Sequence, residues 1–195
     1  MMIRGKSPTR CVSRAAVCAV VLLAMAATAA ATTLVRMSVA KISQTAQAIV
    51  RARCLDSSAR WDSGEIWTFT SFRVEGVWRG AAPARIAVRL LGGRVGNLTS
   101  TVSGIPRFDP GEDVVLFLER MPTSDFSIVS WQQGTFRIRR DSGSGQESVT
   151  QDTASFATFD PATRRFETVG IRRMPLDAFR AQVDAALLDE TGRKR

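Results

Sequence analysis

The order of apolar and polar positions divides this chain into a leader, a strand-rich middle and a mixed end. Val35, Val39, Ile42, Ala46 and Ile49 recur at helical spacing, which predicts a short amphipathic helix over 34–47. "AIVRARCLD" predicts a strand over 48–56, and "SSARWDSGE" a polar turn punctuated by Asp62-Ser63-Gly64. A long aromatic and β-branched strand follows, "IWTFTSFRVEGVW", with Gly76 placed for a bulge or corner. In "RIAVRLL", Ile86, Val88 and Leu90 alternate with Ala87 and Arg89. Gly92-Gly93 interrupts it, and "RVGNLTSTVSG" continues as a looser edge or loop.

Asp109-Pro110-Gly111-Glu112 has the residues of a type II turn, with proline fixing φ at the second position and glycine accepting positive φ at the third. "VVLFL" after it is a continuous apolar run bounded by charges, as expected of a strand buried on both faces. "FSIVSW" and "TFRIRR" add strands joined by "QQG". Short strands with glycine-rich corners suit a small closed or half-closed barrel, because closure removes exposed edges. Residues 141–154 are polar and rich in glycine and serine and read as a mobile linker. Residues 155–195 read as a hairpin turning at Asp160–Thr163 and a helix opened by Pro175, with Leu176, Phe179, Val183 and Leu187 on one face.

Charge changes the picture mainly at the start. The chain carries 27 Lys and Arg against 18 Asp and Glu, a formal +9. Arg4, Lys6, Arg10 and Arg14 lie in a segment without acids, so the remainder is only mildly basic. A basic start, the apolar run "AAVCAVVLLAMAA" and a small-residue exit read as a signal peptide over 1–31, cut after Ala29 or Ala31. The run is short for a spanning helix, although an uncleaved anchor is the rival reading. The expected location is the periplasm or the exterior, with membrane contact only if the leader stays. Cys11 and Cys18 would leave with the leader, so Cys54 would be alone and read as a small buried apolar residue.

The phrases "TAQAIVRARC", "FRVEGVWRGAAPARIAVRLLGG", "FDPGEDVVLFLE" and "WQQGTFRI" resemble a group of uncharacterised exported bacterial proteins. More distantly the arrangement is similar to the OB-like barrel of netrin and tissue-inhibitor-of-metalloproteinase modules, over about residues 36–140. The resemblance implies a mainly β fold: a small OB-like closed or half-closed barrel over 32–140, with a helix before it and a C-terminal helix. That inhibitor family chelates its target's metal with an N-terminal cysteine and braces its barrel with disulfides. Neither feature is present here, so no functional residue transfers.

The chain contains no histidine, which removes Ser-His-Asp and Cys-His nucleophile systems and histidine-built metal sites. No phosphate-cradling glycine motif opens a helix. The expectation is no metal and no cofactor. Glu112 with Asp113, and Asp62 with Glu65, are the visible acid pairs, and a carboxylate-dependent hydrolase stays open. Trp67, Phe69, Phe72, Trp78 and Trp131 interleave with arginines, but alternation puts the rings inside and the cations outside, so no nucleic acid is expected. The reading is a non-enzymatic binding or interaction module for an envelope or extracellular protein. Its surface would be the loops "RVGNLTSTVSGIPRF" and "SWQQG", carrying Arg94, Asn97, Arg107, Gln132 and Gln133 as exposed side chains. A protease-associated module, inhibitor or pro-region like, is the other alternative.

Overall fold

The computed structural model describes residues 35–155, 157–168 and 170–193. The expected signal peptide, with Ala29, Ala31, Cys11 and Cys18, lies outside them. Helix α1 (Val39–Thr45) is shorter than its periodicity predicts, because Ser38 caps its start by accepting from the Lys41 amide at 3.1 Å and Ala46 is already extended. Strand β1 (Ala48–Asp62) runs on through the expected polar turn and pairs with β2 (Glu65–Arg79) almost to its tip. Only Ser63 and Gly64, both at positive φ, make the reversal, and a two-residue loop of that kind fixes the register of a hairpin. Register shifts in β1–β2 fall beside Gly76 and after Cys54, and bend the long arm.

β2 pairs with β3 (Arg85–Leu91), and Val88 of β3 meets Phe126 of β7 (Phe126–Ile128) in parallel. β7 pairs with β6 (Asp113–Arg120), and β6 returns to β1 over Ala48–Arg53. Among the described residues these five strands close a ring with one parallel pair, within the mainly β fold with a helix before it and a C-terminal helix that the sequence predicts. The first half of β6 also pairs with β8 (Thr135–Arg140), which carries β9 (Glu147–Gln151) and β12 (Met174–Pro175) outward as a flap. A small hairpin, β4 (Gly93–Val95) with β5 (Leu98–Ser100), sits after β3. A second, β10 (Thr158–Asp160) with β11 (Arg165–Glu167), turns where the sequence predicts.

Two apolar cores share the ring wall. Ala48, Val50, Ala52 and Cys54 of β1 and Val114, Leu116 and Leu118 of β6 fill the interior with Phe72, Val88 and Leu90. The alternate residues, Ile49, Val115 and Phe117, face outward into a second core with Ile42, Phe136, Val149 and the C-terminal helix α2 (Leu176–Arg193). This accounts for "VVLFL": all five side chains are buried because each face of β6 has its own core. Residues 147–151 of the expected linker are strand β9. Their one large apolar residue, Val149, is fully buried in the second core. No helix of the described residues is long and apolar enough to cross a membrane.

Candidate functional site

At one end of the ring the β1–β2 arm, the turn after β3 and the loop 101–109 enclose a cleft of about 310 Å³. Ser57, Ala59 and Thr68 come from the inward face of the arm, beyond the greasy part of the ring. Their hydroxyls are used internally. Ser57 Oγ meets Thr70 Oγ1 at 3.0 Å, and Thr68 Oγ1 donates to the Gly92 carbonyl at 2.6 Å. The chain passes Thr68 as glycine of necessity: a Cβ on Gly93 (φ 139°) would lie 2.5 Å from Thr68 Oγ1 and 2.7 Å from Ala59 Cβ.

The opposite wall is held at three places. Gly104 accepts from the Gln132 amide, and Phe108 is buried edge-on against Phe72 with ring centroids 5.0 Å apart. The Arg107 carbonyl accepts from Arg137 Nη2 at 2.7 Å. Arg137 is in turn gripped by Glu112 and by Asp152, the latter through Nε at 2.6 Å and Nη2 at 2.9 Å. Burial works against the Arg137 charge, but the two carboxylates outweigh it and its pKa is raised overall.

Of the five side chains expected at the surface, Arg94 and Arg107 both line this cleft and are exposed. Arg94 Nε donates to Gly96 at 3.2 Å. Asn97 is exposed on the β4–β5 turn and does not line the cleft. Gln132 and Gln133 are corrections, because both are buried. "WQQG" is a 3₁₀ turn, entered through Ser130 and Trp131 at φ 51° and 52°. It turns the amides inward: Gln133 Oε1 accepts from the Met37 amide at 2.7 Å and its Nε2 donates to the Val35 carbonyl at 2.8 Å. Gln133 therefore pins the segment before α1, while Asp109, Phe108 and Arg137 are site residues the sequence reading missed. The alternation of small Ser57 and Ala59 opposite Thr68 and Thr70 was the available signal, since such residues cannot fill a core.

The aromatic pattern also needs correction. Trp67 and Phe69 face outward, since Ile66, Thr68, Thr70 and Phe72 take the inward phase of β2. Arg60 stacks 3.5 Å over Phe69, and Arg89 lies 4.1 Å over Trp67 while pairing with Asp62 at 2.7 Å. Those cations are engaged within the fold. Three of the four acids seen in the sequence are engaged likewise, Glu112 by Arg137, Asp113 by Arg53 at 3.4 Å and Asp62 by Arg89, while Glu65 is exposed at the start of β2. Glu147, hydrogen-bonded by Arg51 and Arg140, is held down to about 2. Cys54 is 2% exposed, and burial, followed by Glu112, Asp56 and Asp109, pushes its thiol up to about 11, which leaves little thiolate for nucleophilic attack. No protein-family model matches the chain, and no curated protein matches it in sequence.

Proposed function

We propose that this chain is an exported binding module, and that its ligand enters the cleft between the β1–β2 arm and the loop 101–109. One observation carries the reading. Arg94 and Arg107, both exposed, stand on the rim of a concave site whose walls are fixed by Gly93, Phe108 and Arg137. A cavity of this size lies at the lower end of those that bind small molecules or a protruding side chain, and a fixed wall lowers the entropic cost of binding. Acid–base hydrolysis is the weaker reading. It requires a carboxylate kept protonated near neutrality, whereas the carboxyl groups with displaced pKa values, Asp141, Glu147 and Asp160, are all moved down.

The binding reading predicts that the mature chain retains a component from envelope extract, and that the Arg94→Ala/Arg107→Ala double variant retains it at least about tenfold less. Both positions are exposed, so the melting temperature should stay within about 2 °C of the parent. Equal retention by parent and double variant would refute the assignment of the cleft.

A further inference from the structure

The donors left unused in the cleft restrict what it can hold. Ser57 and Thr68 spend their hydroxyls on Thr70 and Gly92, so the arm offers a ligand no free hydroxyl pair. Leu90, Val102, Ile105, Pro106 and Phe108 make much of the remaining wall apolar. Charge is concentrated in Arg94, Arg107 and Asp109. The Arg107 guanidinium has no hydrogen bond or ion pair among the described residues, and Arg94 commits only Nε. Two cations against one anion leave a single positive charge in excess.

We infer that the cleft takes a monoanionic carboxylate carried on a short apolar body, the chemistry of an apolar C-terminal residue of a peptide or of a small branched acid; this rests on the cleft being the binding site. A guanidinium fork matches a carboxylate in two parallel hydrogen bonds, and an unpaired arginine is free to make them. The apolar wall receives the body, which removes its surface from water. A sugar would find only the charged rim groups for its hydroxyls, because the Ser57 and Thr68 hydroxyls on the arm are already engaged. A phosphate dianion would exceed the net positive charge and face Asp109. The cavity has room for roughly ten water-sized volumes, enough for one such residue and its carboxylate.

The test is an amide chemical-shift titration of the chain, as purified after export, with four probes and a control anion. The probes are 4-methylpentanoate, its amide, and an acetylated pentapeptide ending in leucine as free acid or as amide; inorganic phosphate is the control. The expected result is shifts at Arg94, Val102, Ile105 and Arg107 with at least one free acid, absent with the matching amide at tenfold higher concentration. Arg107→Gln should weaken that binding about tenfold or more, with an unchanged melting temperature. Binding by the peptide acid alone assigns a polypeptide terminus, and binding by 4-methylpentanoate as well assigns the smaller acid. Equal shifts from acid and amide, or tighter binding of phosphate, overturn the carboxylate inference while leaving the cleft a binding site. No shift from any probe also overturns it, and the capture experiment then decides separately whether the cleft binds at all.

Discussion

Replacing Phe179 by alanine is expected to destabilise the protein by about 3–5 kcal/mol, the range for removing a fully buried phenylalanine. Phe179 is 0% exposed and is the centre of an aromatic group: its ring lies 4.5 Å from Phe136, 6.1 Å from Trp78 and 6.3 Å from Phe117. Such contacts add to the loss of burial, since offset and edge-on rings attract one another. The same side chain docks α2 on the ring wall, with Val183 one turn further along and Glu190 paired to Arg79 at 3.0 Å near the end. The cavity would therefore open at the seam between helix and sheet. For a chain of this length the melting temperature should fall by roughly 10 °C. Leu188→Ala, on the exposed side of α2 at 73%, should change stability by less than about 0.5 kcal/mol. Denaturant titration of the two variants checks the pair, and a cost below about 1 kcal/mol for Phe179→Ala would mean that α2 is not held by this core.

Arg137→Met should cost about 3 kcal/mol. The substitution keeps a long apolar stem but leaves Glu112 and Asp152 facing the lost cation, and releases the Arg107 carbonyl. Their side chains are 26% and 17% exposed, so the penalty falls at the low end of that for breaking a buried pair. The diagnostic is rescue. Adding Glu112→Gln and Asp152→Asn removes the stranded charges, and the triple variant should recover more than half of the loss. A triple variant no more stable than Arg137→Met would show that the arginine acts by packing on Phe108 (5.4 Å from its ring) and not through charge.

The parts of the fold legible in the sequence were those where burial writes itself into consecutive residues. "VVLFL" announces a strand enclosed on both sides because five apolar residues in a row have no solvent face. Asp109-Pro110-Gly111-Glu112 announces its turn because the backbone needs those residues: Gly111 sits at φ 89° and the Glu112 amide donates to Asp109 at 3.2 Å. Strand β9 was hidden because "ESVTQ" commits only Val149 to a core; pairing with β8 supplies the rest. The arm beyond Cys54 was hidden for a related reason. Its inward residues, Ser57 and Ala59, line a cleft, so they lack the apolar signature that marks a strand. The exposure of Arg94 and Arg107 was legible because both lie on polar loop segments without an apolar alternation to bury them. Gln133 misled because an amide satisfied by a distant backbone looks, in one dimension, like an amide in water, and Gln132 because the 3₁₀ turn buries its side chain with Oε1 unpartnered.

That polar alternation without grease is what places the cleft, and site-specific photo-crosslinking tests it most directly. A benzophenone side chain at Val102, on the cleft wall, is compared in the producing cell with one at Ala162, on the exposed β10–β11 turn. The expected result is an adduct from position 102 that disappears with Arg94→Ala/Arg107→Ala, and none from position 162. Adducts of equal yield from both positions, or none from position 102, would contradict a ligand site at this end of the ring.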